Sequence, residues 1–118
     1  MPHGYKDLIV WQRAMELVVA VYTLTDKFPR GEMYGLTSQM RRAAVSIPSN
    51  IAEGRLRGSR KEYRQFLLNA YGSGGELETQ IAISQKLPFR QELDFSNVIK
   101  PLDEVMRMLN RMLSGLKS

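Results

Sequence analysis

Cysteine is absent from the 118 residues, and histidine occurs once, as His3 near the N-terminus. Without cysteine the chain cannot form disulfides, thiolate metal sites or a cysteine nucleophile. A single histidine cannot supply the Glu-x-x-His pairs of a di-iron bundle, and this one is poorly placed for a Ser-His dyad. We therefore predict that the protein is not an enzyme and holds no metal or cofactor.

Long apolar runs are absent as well. Gln12, Arg13 and Glu16 interrupt the apolar segment near the N-terminus, so no signal peptide is expected. No stretch approaches the roughly 18 uninterrupted apolar residues of a membrane-spanning helix. Because a cysteine-free chain also fits a reducing compartment, we predict a cytoplasmic protein without a membrane partner.

Strand patterns are missing too, and four amphipathic segments with helical periodicity account for most of the chain. They cover residues 7–27, 37–54, 59–87 and 96–116, with Gly54 as the residue that ends the second segment and Ser59 as the N-cap of the third. Short connections predict that successive helices run antiparallel. The expected fold is a single all-α domain over residues 1–118, an antiparallel up-down-up-down four-helix bundle.

The first segment carries two adjacent apolar stripes, which is more than packing inside one bundle requires. The first stripe consists of Val10, Ala14, Leu17, Val21, Leu24 and Phe28, and the second of Trp11, Met15, Val18 and Tyr22. Packing against another subunit is the simplest use of the second stripe, so we expect a homo-oligomer.

Two features leave alternatives open within the helices. Pro48 lies inside the second segment, where it either kinks one helix or separates two short ones. A kinked single helix is favoured because the apolar phase continues from Ile47 to Ile51. The run Gly72-Ser73-Gly74-Gly75 either breaks the third helix or lets another backbone approach closely, and the unbroken phase favours close packing.

The excess positive charge is confined to residues 41–64, which carry seven basic and two acidic residues and so the whole net charge of +5. We expect residues 55–58 to form a loop beside the N-terminus of the third helix, where free amides and the helix dipole favour anions. The candidate nucleic-acid-binding residues are Arg41, Arg42, Arg55, Arg57, Arg60, Lys61 and Arg64.

Three readings of this charge remain open: contact with nucleic acid, solvated or intersubunit structural charge, and contact with an anionic protein or lipid surface. Nucleic acid is favoured, with RNA preferred. Since no base-reading motif is visible, contacts are expected with phosphates and shape alone.

Several blocks of the chain resemble the small bacterial four-helix-bundle family encoded in intervening sequences of 23S ribosomal RNA genes. The matching blocks are residues 5–11 (YKDLIVW), 28–29, 34–36, 39–54 (QMRRAAVSIPSNIAEG), 72–73 and 76–80 (ELETQ). The resemblance implies a ring-like homopentamer. It also implies similarity to accessory proteins of diversity-generating retroelements, which are basic pentamers that work with a reverse transcriptase and nucleic acid. The alternative function is an oligomeric scaffold for a protein partner such as a polymerase, with structural arginines.

Overall fold

A computed structural model describes residues 4–117, so His3 lies outside the described residues. Four long helices are present: α1 (Ile9–Thr25), α2 (Ser38–Arg57), α3 (Arg60–Ser84) and α4 (Ser96–Gly115). Short 3₁₀ turns lie at Tyr5–Asp7, Arg30–Glu32 and Pro88–Glu92, and a π-helical turn (Met33–Thr37) leads into α2. The described part of the chain contains no strand. The predicted all-α four-helix bundle is confirmed, with dimensions of 46 × 24 × 22 Å.

Side-chain contacts fix the relative directions of the helices. Between α2 and α3, Ser46 Oγ lies 2.8 Å from Ser73 Oγ, whereas Gly54, further along α2, packs against Phe66, earlier in α3. The two helices therefore run in opposite directions. The start of α3 likewise meets the end of α4, since Arg60 donates to the Gly115 carbonyl at 3.0 Å.

The core confirms the first predicted stripe of α1. All six of its residues are buried, and they meet buried aliphatic side chains of α2, α3 and α4. In the second stripe Trp11 and Val18 are half-buried, while Met15 and Tyr22 are exposed. Each fully buried aliphatic side chain contributes about 1.5–3 kcal/mol, so the first stripe holds the bundle together. In the second stripe Trp11 and Val18 pack against the edge of this core, and only Met15 and Tyr22 remain on the surface.

Pro48 does not divide α2, so the predicted single helix is confirmed. Polar side chains bond locally around the proline. Asn50 Nδ2 donates to the Ser46 carbonyl at 2.8 Å, and the Ser46 hydroxyl pairs with Ser73 of α3. Ser46 therefore links the segment around the proline to α3.

The predicted end of α2 at Gly54 is wrong. Gly54 is a buried interior residue of the helix, and a Cβ built on it would lie 2.7 Å from the Phe66 Cβ. The absence of a side chain there lets α2 and α3 approach closely. The helix continues to Arg57 and ends at Gly58, whose φ of 82° is the left-handed conformation that favours glycine. The predicted loop 55–58 is therefore helix up to its last residue.

The glycine-rich run of α3 stays helical, as predicted. Its close contact is with a side chain and not with a backbone, because Met106 of α4 occupies the space that a Cβ on Gly74 would need. Gly72 and Gly75 face open space. One glycine of the run therefore serves packing between α3 and α4.

Candidate nucleic-acid interface

The turn between α2 and α3 consists of Gly58 and Ser59 alone. Ser59 Oγ accepts a hydrogen bond from the Glu62 amide at 3.0 Å and donates to the Glu62 carboxylate at 3.2 Å. The predicted N-cap at Ser59 is confirmed, and α3 begins directly after it. As a result, Arg55 and Arg57 lie in the last turn of α2, while Arg60 and Lys61 lie in the first turn of α3.

The helix dipoles act differently on these two pairs of cations. Arg55 and Arg57 lie at the negative end of α2, where positive charge is favourable. Arg60 and Lys61 lie at the positive end of α3, where positive charge is unfavourable and an anion is welcome. Glu62 supplies one negative charge there. The first turn of α3 therefore combines free amides with cations that an additional anion would stabilise.

Arg57 is held by two carboxylates of its own chain. Its guanidinium lies 3.0 Å from the Glu53 carboxylate and 3.8 Å from that of Glu62, and it covers the Phe66 ring at 5.2 Å from the centroid. Half-exposed ion pairs of this kind contribute at most about 1 kcal/mol. A phosphate that binds here must therefore share Arg57 with these acids.

Arg60 joins two helix ends. Its Nη2 donates to the Gly115 carbonyl at 3.0 Å, which satisfies one of the free carbonyl groups in the last turn of α4. The guanidinium remains exposed. Its remaining donors stay accessible on the surface of the bundle.

Arg55 and Tyr63 line an open groove of about 320 Å³ together with Arg60, Gly58 and Leu116. We call this the basic groove. The Arg55 guanidinium lies 5.8 Å from the centroid of the Tyr63 ring. Partial burial raises the pKa of the Tyr63 phenol, and the nearby positive charge of Arg55 opposes the rise. The phenol is therefore neutral near pH 7, and its oxygen is buried.

Lys61 and Arg64 complete the cluster on α3. Lys61 is exposed and forms no ion pair within residues 4–117. Arg64 is half-buried, and its Nε has no hydrogen-bond partner in the part of the chain that the structure describes. The predicted cations after Gly54 thus lie together at one end of the bundle. Arg57 and Arg60 bind acidic or carbonyl groups of the chain, whereas Lys61 is exposed.

Sequence reasoning missed three cations at the same end. Leu8 and Arg111 line a common surface groove, and Leu116 lines the basic groove, so both ends of the described chain lie beside the α2–α3 turn. Because of this arrangement, the exposed residues Lys6 and Lys117 also lie at this end of the bundle. The predicted topology could have indicated these cations, because four antiparallel helices bring both ends of the chain to the same side as the α2–α3 turn. We define the basic end as Arg55, Arg57, Arg60, Lys61, Arg64, Lys6, Arg111 and Lys117.

Arg41 and Arg42 lie elsewhere. They are about 20 Å from Arg55 along α2, at 1.5 Å per residue. Arg41 Nε donates to Thr25 Oγ1 at 3.0 Å, and its guanidinium lies 4.5 Å from the centroid of the Tyr22 ring. Arg42 is exposed. The structure therefore divides the predicted site into two separate regions.

Residues 4–117 contain neither a cluster of metal-binding side chains nor a membrane-spanning helix. No three acidic or histidine side chains in this range are grouped as metal ligands are. None of its helices is both long and apolar enough to span a bilayer.

The family model described as 23S rRNA-intervening sequence protein matches residues 6–111. Among curated proteins, none matches the chain. The match includes α1, α2 and α3 in full and most of α4.

Proposed function

The chain belongs to the 23S rRNA-intervening sequence protein family, and on that premise we propose that it is a homo-oligomer, assembled as a pentamer, that binds structured RNA through its basic end. The proposal includes no catalytic step. The family name concerns the position of the gene, so the argument for RNA binding rests on the geometry of the basic end.

The observation that carries the proposal is the first turn of α3. Arg60 and Lys61 stand at the positive end of the helix dipole, and Lys61 has no acidic partner within residues 4–117. Such an arrangement is unfavourable for the isolated chain and favourable once a phosphate lies between the cations and the free amides. The basic groove beside this turn is also lined by Arg55, which adds a further cation.

Contacts of this kind are with phosphate oxygens. Arginine and lysine side chains on a helix end bind the backbone of a nucleic acid through charge, and the release of counterions makes such binding strongly salt-dependent. The basic end offers no helix shaped to enter a groove and read bases, since α3 runs back along the bundle away from the turn. We therefore propose recognition of RNA shape and charge without a sequence code.

Assembly of several copies is supported by apolar side chains left on the surface of α1. Ile9 and Val19 are 60% and 65% exposed, and Met15 lies on the same helix and is 42% exposed. Burying them against a second copy would remove this apolar area from water. A ring of copies would also repeat the basic end around one rim, which increases binding to a polyanion through multivalency.

A scaffold for a protein partner is the second candidate, and a specific observation favours it. Arg57 and Arg60 are already engaged by Glu53, Glu62 and the Gly115 carbonyl, so part of the charge cluster stabilises the fold. In this alternative the arginines serve structure, and RNA affinity does not depend on them.

The test compares two variants that lose the same charge at opposite ends of the bundle. The basic-end variant carries Arg55→Gln, Arg60→Gln, Lys61→Gln and Arg64→Gln. The opposite-end variant carries Lys27→Gln, Arg30→Gln, Lys86→Gln and Arg90→Gln, all exposed residues of the two far connections. Binding of a blunt, labelled RNA hairpin is titrated at several salt concentrations.

We expect the basic-end variant to bind more weakly, with a salt slope reduced by about 0.7–0.9 for each lost phosphate contact. The opposite-end variant should bind like the wild type. Equal affinities and slopes for both variants would refute RNA binding at the basic end and leave the scaffold alternative. Light scattering of the wild type at micromolar concentration tests assembly, and a monomeric mass contradicts it.

A further inference from the structure

A second open groove, of about 570 Å³, lies between the C-terminal part of α1 and the start of α2. Its walls include Tyr22, Met33, Tyr34, Arg41, Arg42 and Val45. We call it the Tyr34 groove. The residues that line it include two cations and no acid, whereas the groove between α3 and α4 contains both Glu78 and Asp103. Charge complementarity therefore favours an anionic occupant with an apolar part.

Tyr34 is the most exposed of the large hydrophobic side chains among the described residues, at 97%. It lies on the π-helical turn that precedes α2, and Met33 and Tyr22 beside it are also exposed. Single exposed apolar residues are common on proteins, but here several adjoin one groove. The Tyr34 ring is free to stack against a planar ligand.

Arg41 is held in place at the same groove. Thr25 Oγ1 accepts a hydrogen bond from Arg41 Nε at 3.0 Å and itself donates to the Val21 carbonyl at 2.8 Å. The guanidinium lies 4.5 Å from the centroid of the Tyr22 ring. These contacts already set the orientation of the planar Arg41 guanidinium. A ligand that binds it therefore causes little further loss of conformational entropy.

Arg42 supplies an uncommitted charge. It is exposed, lines the groove, and forms no ion pair within residues 4–117. A bare aromatic ring, a fixed guanidinium and an exposed cation are the elements that bind single-stranded nucleic acid, because bases stack on aromatic side chains and cations follow the phosphates. Paired bases in a duplex have no free face for such stacking.

We propose that the Tyr34 groove binds an unpaired nucleotide, with its base on Tyr34 and its phosphate at Arg42. The inference rests on the proposed RNA-binding function and adds a contact that distinguishes unpaired from paired nucleotides. The basic end would hold the duplex part of an RNA, and the Tyr34 groove would hold a flanking single strand.

The test uses two hairpins with equal charge. Each carries a six-nucleotide 3′ tail, with normal bases in one RNA and with abasic residues in the other. The wild type should bind the tail with bases about tenfold more tightly, in line with stacking of a single base. Tyr34→Ala should abolish this preference and leave binding of the abasic RNA unchanged. Tyr71→Ala, at an exposed tyrosine of α3, is the matched control and should keep the preference.

Three results would overturn the inference. The first is equal binding of the two tails by the wild type, and the second is a preference that survives Tyr34→Ala. The third is a loss of oligomeric mass in Tyr34→Ala by light scattering, which would identify the groove as a contact between copies.

Failure of the proposed function gives a different pattern. If the basic-end variant weakens both RNAs alike while the tails are not distinguished, only the Tyr34 inference is wrong. If the basic-end variant binds both RNAs like the wild type, the proposed function of the basic end is wrong. A base preference lost in Tyr34→Ala would support the groove in either case.

Discussion

Gly54 and Gly74 set how closely the helices of this bundle approach one another. A Cβ on Gly54 would lie 2.7 Å from Phe66 Cβ and 3.3 Å from the Tyr63 carbonyl oxygen, both close to the α3 backbone. At Gly74 the neighbour is the flexible Met106 side chain. A backbone-proximal obstacle cannot move without shifting the helix, so Gly54 is the stricter of the two positions.

Substitution of the glycines by alanine separates packing from helix propensity. We expect Gly54→Ala to destabilise the fold by about 1–3 kcal/mol through overpacking. Gly72→Ala should stabilise it by up to about 1 kcal/mol, because that position faces open space and alanine favours the helix. Urea denaturation measures both, and a Gly54→Ala variant as stable as the wild type would contradict the close approach of α2 and α3.

Tyr63 makes the stability of the fold sensitive to alkaline pH. Burial is the largest influence on its phenol and raises the pKa in the folded state, while Arg55 opposes the rise. A group whose folded pKa is raised contributes stability below its unfolded pKa, near 10, and loses this contribution as pH rises through the folded value.

We therefore expect the free energy of unfolding to fall above about pH 10 more steeply in the wild type than in Tyr63→Phe. Denaturant titrations between pH 9 and 11 test the difference, with Tyr71→Phe as the control at an exposed tyrosine. Parallel pH profiles for the wild type and Tyr63→Phe would show that the folded protein does not hold this phenol in its neutral form.

The α2–α3 hairpin shows what local sequence patterns reveal and what they leave open. The core stripe of α1, the continuity of α2 across Pro48 and the Ser59 cap are all predictable, because each depends on residues within a few turns. The end of α2 is not, since glycine both terminates helices and lets them pack. Only the packing against Phe66 assigns Gly54 to the second use and leaves termination to Gly58.

The candidate site was likewise only partly predictable from the sequence. The neighbouring cations Arg60, Lys61 and Arg64 are visible in the sequence, since the Ser59 cap places them at the start of one helix. The engagement of Arg60 is not visible, because its partner Gly115 is 55 residues away. The contribution of Lys117 depends in turn on the docking of α4 beside that helix.

Ser59 separates the stability of α3 from the charge of the basic end. Ser59→Ala removes the cap and should lower stability by about 1 kcal/mol, with RNA affinity unchanged. Ser59→Asp keeps a cap and adds negative charge beside Arg60 and Lys61, so stability should be retained while RNA affinity falls. Thermal denaturation and RNA titration of the two variants check this. Equal RNA affinity of Ser59→Asp and the wild type would show that phosphate does not bind at the start of α3.

The fold gathers positive charge at one end of the bundle, including cations that are far apart in the sequence. The α2–α3 turn and both ends of the described chain meet at the basic end, while the other two connections meet at the far end, where Phe28 and Phe89 pack with ring centroids 4.8 Å apart. Of the acids here, Glu53 and Glu62 are both paired with Arg57, and Asp7 is exposed beside Lys6, so the eight cations of the basic end outnumber them. A polyanion approaching the protein therefore meets its highest positive potential at one end.

Hydrogen exchange with and without a blunt RNA hairpin tests this central claim most directly, because it locates the contact without altering a residue. The Arg60 and Lys61 amides in the first turn of α3 have no partners within the helix and should exchange rapidly in the free protein. We predict that RNA slows exchange over residues 58–64 and 114–117 and leaves residues 26–32 and 86–92 unchanged. Protection at the far connections, with none at residues 58–64, would contradict RNA binding at the basic end.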